Sequence, residues 1–232
     1  MLTLIIREDG LEARETPELK LFEGPRTVNF ATDQEELRTI VKLNQVHDYT
    51  LAECAQPSHH ARLDCHSRYL YGILNTVDLM GDRIVSEAFN FYLTEFALVI
   101  VCQGNNHFID KFIAKLSSRE LIEQLEDLSP QKLFLSLYES LIENNDSKID
   151  LLEDRLESLE ERIMVNAGKA YLKEIIAARK LIMHLKHHLE PLQFFIQALA
   201  DNENNVFTDK QLKSIRILSY KTVKMVENTT LL

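Results

Sequence analysis

The feature that most constrains this chain is a long stretch without any helix-breaking residue. After Pro130, neither glycine nor proline occurs before Val165. Apolar residues within it recur at spacings of three and four, namely Ile149, Leu152, Leu156, Leu159 and Ile163. This pattern predicts one long helix with a coiled-coil-like seam. Pro130 suits the first helical position and Ser129 the N-terminal cap.

Two more helices are predicted beyond a short break at residues 166–168. The first runs from about Lys169 to Ala200, and a kink is expected at Pro191 inside it. Because the break is short, the two long helices should be antiparallel neighbours. The third begins near Thr208, and the lack of a terminal Gly, Asn or Pro predicts a cut inside a longer helix. Its candidate seam is Ile215, Leu218, Thr222, Met225, Thr229 and Leu232.

The first 129 residues mix strand and helix patterns. Strands are predicted at Leu2–Arg7, which Gly10 ends, and at Val28–Ala31. Thr32 and Asp33 are candidate caps for a following helix, and Asp48–Ala55 predicts a shorter one.

Residues 62–102 are rich in aromatic and β-branched residues, which predicts several strands. A tight turn is expected at Thr94-Glu95, and short helices at His107–Leu116 and Ser118–Leu128. The predicted fold is α+β or α/β, with a mixed β-sheet domain and flanking helices at 1–129. A long antiparallel helical hairpin packed on that domain occupies 130–205, and the start of a further long helix occupies 206–232.

Composition excludes several classes of function. A net charge of -10 over 232 residues repels phosphate-rich partners such as nucleic acids and attracts cations. Three cysteines do not form a disulfide framework, and the N-terminus does not have the pattern of a signal peptide. The strongly apolar runs are far shorter than the ~20 residues of a membrane helix. The glycines are too scattered for a phosphate loop, and no nucleophile motif occurs, so no enzyme is predicted.

Two groups of residues are candidate metal ligands. The first is Cys54, His59, His60, Cys65 and His66. Zinc prefers Cys and His, but adjacent residues of a strand point to opposite faces, so no zinc site is expected there. His184 and His188 share a helix face but have no third ligand, which favours a solvated face. The acidic run Glu139–Glu161 predicts only a diffuse attraction of cations.

Three stretches resemble one transporter family in their order and spacing. They are HSRYLYGILNTVDL followed by FNFYLTEFALVIV, then LLEDRLESLEERI, and then ARKLIMHLKHHLEPLQFFIQAL. Together they are similar to the cytoplasmic domain of CorA-type magnesium transporters, a family that includes zinc-transporting ZntB relatives. Glu190-Pro191-Leu192 stands where the family has its proline-leucine pair.

The resemblance implies a cytoplasmic regulatory domain of a divalent-cation transporter or channel, without catalysis and without a required cofactor. The transported or regulatory ion would be Mg²⁺ or another divalent cation. The family assembles as a homo-pentamer around stalk helices that continue into the membrane, which here would follow Leu232. Without that membrane part, the chain alone is expected to associate only weakly.

The resemblance also implies a regulatory cation site between subunits, with one acid from the loop after a strand. Asp78 or Asp82 matches that acid. The family's two stalk aspartates correspond to Ile217 and Tyr220, so a specific Mg²⁺ site is not expected. Asp209 or Glu227 would be the first places to look for a relocated carboxylate. The rival interpretations are a stand-alone helical adaptor that binds a partner coiled coil and, as a less favoured one, a zinc-dependent protein.

Overall fold

The computed structural model describes residues 2–7, 10–14, 20–55, 60–81, 83–102, 104, 106–118, 128–165 and 169–231. These residues form seven strands and six helices. The strands are β1 (Leu2–Arg7), β2 (Gly10–Arg14), β3 (Thr27–Ala31), β4 (Arg62–Cys65), β5 (Leu70–Met80), β6 (Arg83–Leu93) and β7 (Ala97–Cys102). The helices are α1 (Gln34–Asn44), α2 (Tyr49–Ala55), α3 (His107–Ser117), α4 (Pro130–Val165), α5 (Lys169–Asp201) and α6 (Asp209–Leu231).

All seven strands belong to one mixed sheet in the order β2-β1-β3-β7-β6-β5-β4. Only β3 and β7 pair in parallel, and every other neighbouring pair is antiparallel. The mixed sheet with flanking helices confirms the predicted fold class. The sequence pattern does not indicate β2, because a glycine after a short apolar run usually ends a strand. Gly10 instead begins the return strand of a β1–β2 hairpin, with a φ of 150°.

Both faces of the sheet are buried, by different layers of helices. Leu98, Ile100 and Cys102 of β7 belong to the core shared with α3, α4, α5 and α6. Val99 and Val101 point to the other face, where they join the core under α1 and α2. A strand buried on both faces is a continuous apolar run, which explains why β7 is apolar at every position.

Capping residues place the starts of α1 and α4 where the sequence predicts them. The Asp33 carboxylate accepts a hydrogen bond from the Glu35 amide and caps α1. Ser129 Oγ accepts from the Lys132 amide at 3.2 Å and caps α4. Pro191 lies inside α5, which continues through it. The predicted helix Ser118–Leu128 and the break at 166–168 lie outside the described residues.

The helix α4 has two different halves. Near its start, Phe134 and Tyr138 are fully buried, and both belong to the core under the sheet. Phe134 packs on Phe91 of the sheet and Tyr138 stacks on Phe195 of α5, with ring centroids 4.5 Å and 5.5 Å apart. In the second half, Ile149, Leu152 and Leu159 of the predicted seam are buried, while the remaining two positions are half-buried. The predicted seam is therefore confirmed.

The seam of α6 is also confirmed, and it faces α4 and α5 of the same chain. Five of its six predicted positions are buried, namely Ile215, Leu218, Thr222, Met225 and Thr229, and the sixth, Leu232, lies outside the described residues. Thr222 Oγ1 lies 3.2 Å from the Tyr138 hydroxyl and donates to the Leu218 carbonyl. Because this face is used inside the chain, any contact between subunits along α6 has to use the opposite face.

The β5–β6 hairpin extends beyond the rest of the sheet as a two-stranded ribbon. The strand β4 covers only the beginning of β5, and β7 covers only the end of β6. The ribbon lies along α4, where the Asn145 side chain accepts from the Val77 amide at 3.3 Å. Arg155 of α4 donates to the Gly81 carbonyl at 2.7 Å. The ribbon is thus bound to the helix over two turns or more.

The predicted boundaries at 130 and 206 lie at or near the starts of α4 and α6. The sheet and these helices share one continuous apolar core. The division into three parts stays a prediction.

We predict that Gly72→Ala destabilises the fold by about 1–3 kcal/mol, the usual cost of adding volume to a packed core. A Cβ at this position would lie 2.5 Å from Phe91 Cε1 and 2.8 Å from the Arg62 carbonyl oxygen. Phe91 is fully buried and packs on the rings of Phe134 and Phe195. Urea unfolding followed by circular dichroism measures the loss, with Val85→Ala, at an exposed position of the neighbouring strand, as the control. A Gly72→Ala variant as stable as the parent would contradict this packing.

Candidate regulatory cation site

Asp78, one of the two predicted cation ligands, lies near the end of β5 where the ribbon meets α4. Its Oδ1 is 3.1 Å from Lys148 Nζ and accepts a hydrogen bond from the Leu79 amide at 2.9 Å. The side chain is 56% exposed. Asp82, the other predicted ligand, lies outside the described residues.

Neighbouring positive charges and hydrogen-bond donors already compensate the charge of the Asp78 carboxylate. Partial burial acts to raise its pKa, but the hydrogen bonds from Lys148 and from the Leu79 amide outweigh burial. The charge of Lys111 on α3 adds to them, so the pKa of Asp78 lies below its ordinary value. A cation arriving here would have to displace the Lys148 ammonium and would meet a second positive charge.

The helix that should supply the second acid carries apolar and basic residues instead. Ile217 and Tyr220 lie on the outer face of α6 and are 60% and 71% exposed. Arg216 is also exposed, and Lys221 forms an ion pair with Glu139 of α4 at 2.6 Å. Cations are therefore not favoured on this part of α6.

Asp209 and Glu227, the two alternative stalk acids, are both exposed on α6. They are 18 positions apart along the helix, which corresponds to about 27 Å at the usual rise per residue. A Mg²⁺ ion needs ligands at about 2.0–2.1 Å, so these two carboxylates of one chain cannot share an ion.

The structure separates the members of the predicted zinc cluster. Cys54 lies in α2, buried between the hydroxyls of Tyr71 and Tyr92 at 3.8 and 3.7 Å. Burial raises the pKa of the Cys54 thiol to about 11, which disfavours the thiolate that zinc requires. Cys65 ends β4, and its pKa is raised as well, again mainly by burial.

His66 belongs to an aromatic group at the edge of the sheet. Its ring stacks on Tyr69 and His47, with centroids 4.3 and 4.5 Å away, and its Nε2 lies 2.8 Å from the Tyr49 hydroxyl. Burial and the neighbouring charge of His47 lower the pKa of His66. These rings pack on one another, and polar atoms of the group form hydrogen bonds to each other.

His60 has a different set of neighbours, which the sequence did not indicate. It lies edge-on to His187 of α5 at 4.5 Å between centroids, with His188 at 6.5 Å. His188 is itself hydrogen-bonded to Asn75 of β5 at 3.2 Å. Within the described residues, no three His, Cys, Asp or Glu side chains are arranged to hold a metal ion. His59 lies outside those residues.

We predict that Mg²⁺ binds this domain only weakly and in a salt-sensitive way. Asp78 is paired with Lys148, and the two stalk positions that would supply carboxylates carry Ile217 and Tyr220, so we expect only the diffuse attraction of the net charge. That attraction is screened over a Debye length of about 8 Å at physiological ionic strength. Titration calorimetry at low and physiological salt measures it, with an Asp78→Ala/Asp82→Ala variant beside the parent.

Lys148→Ala is the matched variant, because it releases Asp78 from its ion pair and leaves the carboxylate in place. Loss of this partly exposed pair should cost less than about 1 kcal/mol of stability. Saturable, salt-resistant Mg²⁺ binding that the double aspartate variant abolishes would contradict the prediction.

We predict that the Cys54–His66 segment does not hold zinc. Of its described members, Cys54 lies in α2, Cys65 and His66 lie at the sheet edge, and His60 packs against His187 of α5. Inductively coupled plasma analysis of protein purified without chelator should find far less than one zinc per chain. About one equivalent, lost in a Cys65→Ser variant and retained in Cys102→Ser, would show that the interpretation is wrong.

The described helices include none that combines the length and the apolar character needed to cross a membrane. A search among individually curated proteins gives no match. The fold, in contrast, is found in several solved structures. The complete structure of the CorA magnesium transporter from Methanocaldococcus jannaschii superimposes with a TM-score of 0.77 at 13% identity, covering 99% of this chain and 72% of that one.

Two further structures extend the comparison. The crystal structure of the ZntB cytoplasmic domain from Vibrio parahaemolyticus has a TM-score of 0.72 at 14% identity, and covers 100% of this chain and 93% of that one. The full-length CmaX protein gives 0.78 at 13% identity, with coverages of 100% and 72%. At such identities the likeness establishes the fold alone.

The sequence itself supplies the family. A family model described as "CorA-like Mg2+ transporter protein" matches residues 28–232, which is most of the chain from β3 onward. The match includes the sheet strands β3 to β7, the ribbon, and all three long helices. This chain therefore belongs to the CorA-like family of Mg²⁺ transporter proteins.

Proposed function

We propose that this chain is the cytoplasmic regulatory domain of a divalent-cation transporter or channel, with Mg²⁺ as the first cation to test. The observation that carries the proposal is the family match over residues 28–232. The fold supports it, because the soluble domain of CorA from Methanocaldococcus jannaschii has a TM-score of 0.73 and covers 89% of this chain. In this proposal the membrane part lies in a longer protein, and the domain acts through contacts and without catalysis.

The outer face of α6 is where we place the contacts between subunits. Ile217 and Tyr220 are exposed in the single chain although they are large and partly or wholly apolar. The inner face of α6 is already filled by α4 and α5. In a homo-pentamer whose stalk helices surround one axis, this outer face would be the one that meets the neighbours.

The same face suggests how gating would differ from the pattern that the family resemblance implies. A metal ion between two carboxylates is replaced here by an apolar and an aromatic side chain. Burial of such side chains between subunits would hold the stalks together without a bound cation. We propose that subunit contacts control the pore, and that internal Mg²⁺ has little direct effect on them.

A second candidate is a stand-alone adaptor that binds a partner helix. It is favoured by the exposed apolar side chains on the α4–α5 hairpin, which in the described residues are Leu151, Met164, Leu172, Ile175, Ile176, Met183 and Phe194. Clusters of such residues often mark contact surfaces. Transport by the protein that contains this chain separates the two candidates, since an adaptor has no pore.

We predict that the longer protein, which contains this domain together with the membrane part, conducts Mg²⁺ when it is reconstituted into liposomes. Uptake is followed by a Mg²⁺-sensitive dye inside the vesicles, and empty liposomes provide the background. Uptake of another divalent cation in place of Mg²⁺ would identify that ion as the transported cation, and the assignment as a transporter would stand. The adaptor would be favoured if the folded and inserted protein conducts no divalent cation. It would also be favoured if the protein does not enter the bilayer.

The regulatory part of the proposal has its own variant, Ile217→Asp, with Ile217→Asn as the uncharged control of similar size. Aspartate restores an acid at a position where the family pattern has one. Flux through the Asp variant should become sensitive to Mg²⁺ on the cytoplasmic side, while the parent and the Asn variant stay insensitive. A parent protein that is already inhibited by Mg²⁺ would contradict gating by apolar contacts alone.

A further inference from the structure

The exposed side of α5 carries a row of large apolar side chains. Leu172, Ile176, Met183 and Phe194 are 60%, 49%, 61% and 72% exposed. Successive members are 4, 7 and 11 positions apart in the sequence. At about 100° per residue, all four therefore point within about 40° of one another around the helix axis. The row spans about 33 Å of helix at the usual rise per residue, which is typical of a face that packs against another helix.

The row faces away from α4 of the same chain. Ile176 and Met183 each stand two positions from a residue that lines the contact between α4 and α5, namely Ala178 and Leu181. Two positions turn a helix by about 200°, so the row lies on the far side of α5. It forms one edge of the α4–α5 hairpin.

The opposite edge of the hairpin is the outer face of α4, and it is acidic. Asp154 stands two positions beyond Leu152, and Glu157 and Glu161 stand two positions on either side of Leu159. Both leucines line the contact with α5, so the three carboxylates face away from it. All three are exposed, and within the described ranges none of them forms an ion pair.

Basic side chains accompany the apolar row on α5. Lys173, Arg179 and Lys180 are exposed, and they too form no ion pair in the part of the chain that the structure describes. Arg179 lies in the row itself, three positions after Ile176 and four before Met183. The two edges of the hairpin thus carry opposite charges. Because they point away from each other, they can meet only between two copies of the chain.

The heights of these charges along the hairpin also match. The ion pair between Arg162 and Glu174, at 2.6 Å, shows which residues of the two antiparallel helices are level. Five positions further along α5 is Arg179, and five positions back along α4 is Glu157. A rotation about an axis parallel to the hairpin leaves heights unchanged. It would therefore bring Arg179 of one copy level with Glu157 of the next.

From this complementarity we propose that the outer face of α5 binds the outer face of α4 of a second copy of this chain. Arg179 would pair with Glu157 of that copy. Leu172 would pack near its Met164, which is level with Leu172 by the same count and is 85% exposed. Two different faces meet in this contact, so it is heterologous and repeats from copy to copy until a ring closes. It uses none of the residues on the outer face of α6.

Cross-linking of single-cysteine variants tests which faces meet. Arg179→Cys and Glu157→Cys are made in a Cys65→Ser background, since the other two native cysteines are buried. Oxidation of the two variants mixed at up to about 1 mM, which detects weak association, should give a covalent dimer of one of each. A tag on one variant resolves that dimer by size. Arg179→Cys mixed with Arg38→Cys, which is exposed on α1, is the matched control and should give far less.

Charge reversal tests the pairing itself, with self-association measured by sedimentation equilibrium. Arg179→Glu and Glu157→Arg should each weaken association about fivefold or more, because like charges then face each other. The double variant Arg179→Glu/Glu157→Arg should return to within about twofold of the parent, since the pair is restored with its signs exchanged. Arg38→Glu changes the net charge as much as Arg179→Glu does and should have no effect. Circular dichroism verifies that each variant is folded.

The proposal is wrong if the parent chain stays monomeric up to about 1 mM, a limit that corresponds to very weak binding. It is also wrong if the mixed variants cross-link no more than the Arg38→Cys control. Arg179→Cys that cross-links mainly to itself would show that two α5 faces meet, and a double reversal no tighter than the single ones would refute the pairing. Because none of these measurements involves ion flux, failure here would leave the proposed transport function standing.

Discussion

The structure depends first on the burial of the start of α4 between the sheet and the other long helices. Phe134, Leu137, Tyr138 and Leu141 are completely buried there. All six residues from Leu133 to Tyr138 are buried, so this part of the helix is surrounded: β5, β6 and β7 cover one side while α5 and α6 cover the others. Burying one such side chain typically stabilises a fold by about 1.5–3 kcal/mol. The positions of α5 and α6 follow from this contact, and so does the outer face of α6.

Much of this arrangement could be predicted from the sequence, because it is written in local patterns. The seams at Ile149–Ile163 and Ile215–Thr229 follow from residues three and four apart, which share a helix face whatever the helix packs against. Asp33 and Ser129 mark helix starts through bonds to amides two or three residues away. Such signals need no knowledge of the rest of the chain.

The parts that could not be predicted depend on contacts between distant segments. Lys148 pairs with Asp78 from 70 positions away, and His187 meets His60 across more than 120. No spacing rule connects these residues, because the loops and helices between them decide where each one lies. The partner of α6 is a similar case. Its seam was visible in the sequence, but the sequence did not show that α4 and α5 of the same chain would occupy it.

The ribbon of β5 and β6 has a mechanical consequence. Its contacts with α4 begin at Asn145, pass through Lys148 and end at Arg155, a span of about 15 Å along the helix axis. The matching residues of the ribbon, Val77 to Gly81, span about 14 Å along the strand. Because the two lengths agree, the ribbon is attached along this part of α4 and resists its bending. Beyond Arg155, the described residues of α4 contact α5 through the seam and the Arg162–Glu174 ion pair. A bending motion of the α4–α5 hairpin would therefore have its pivot beyond Arg155, and the sheet would move together with residues 130–155.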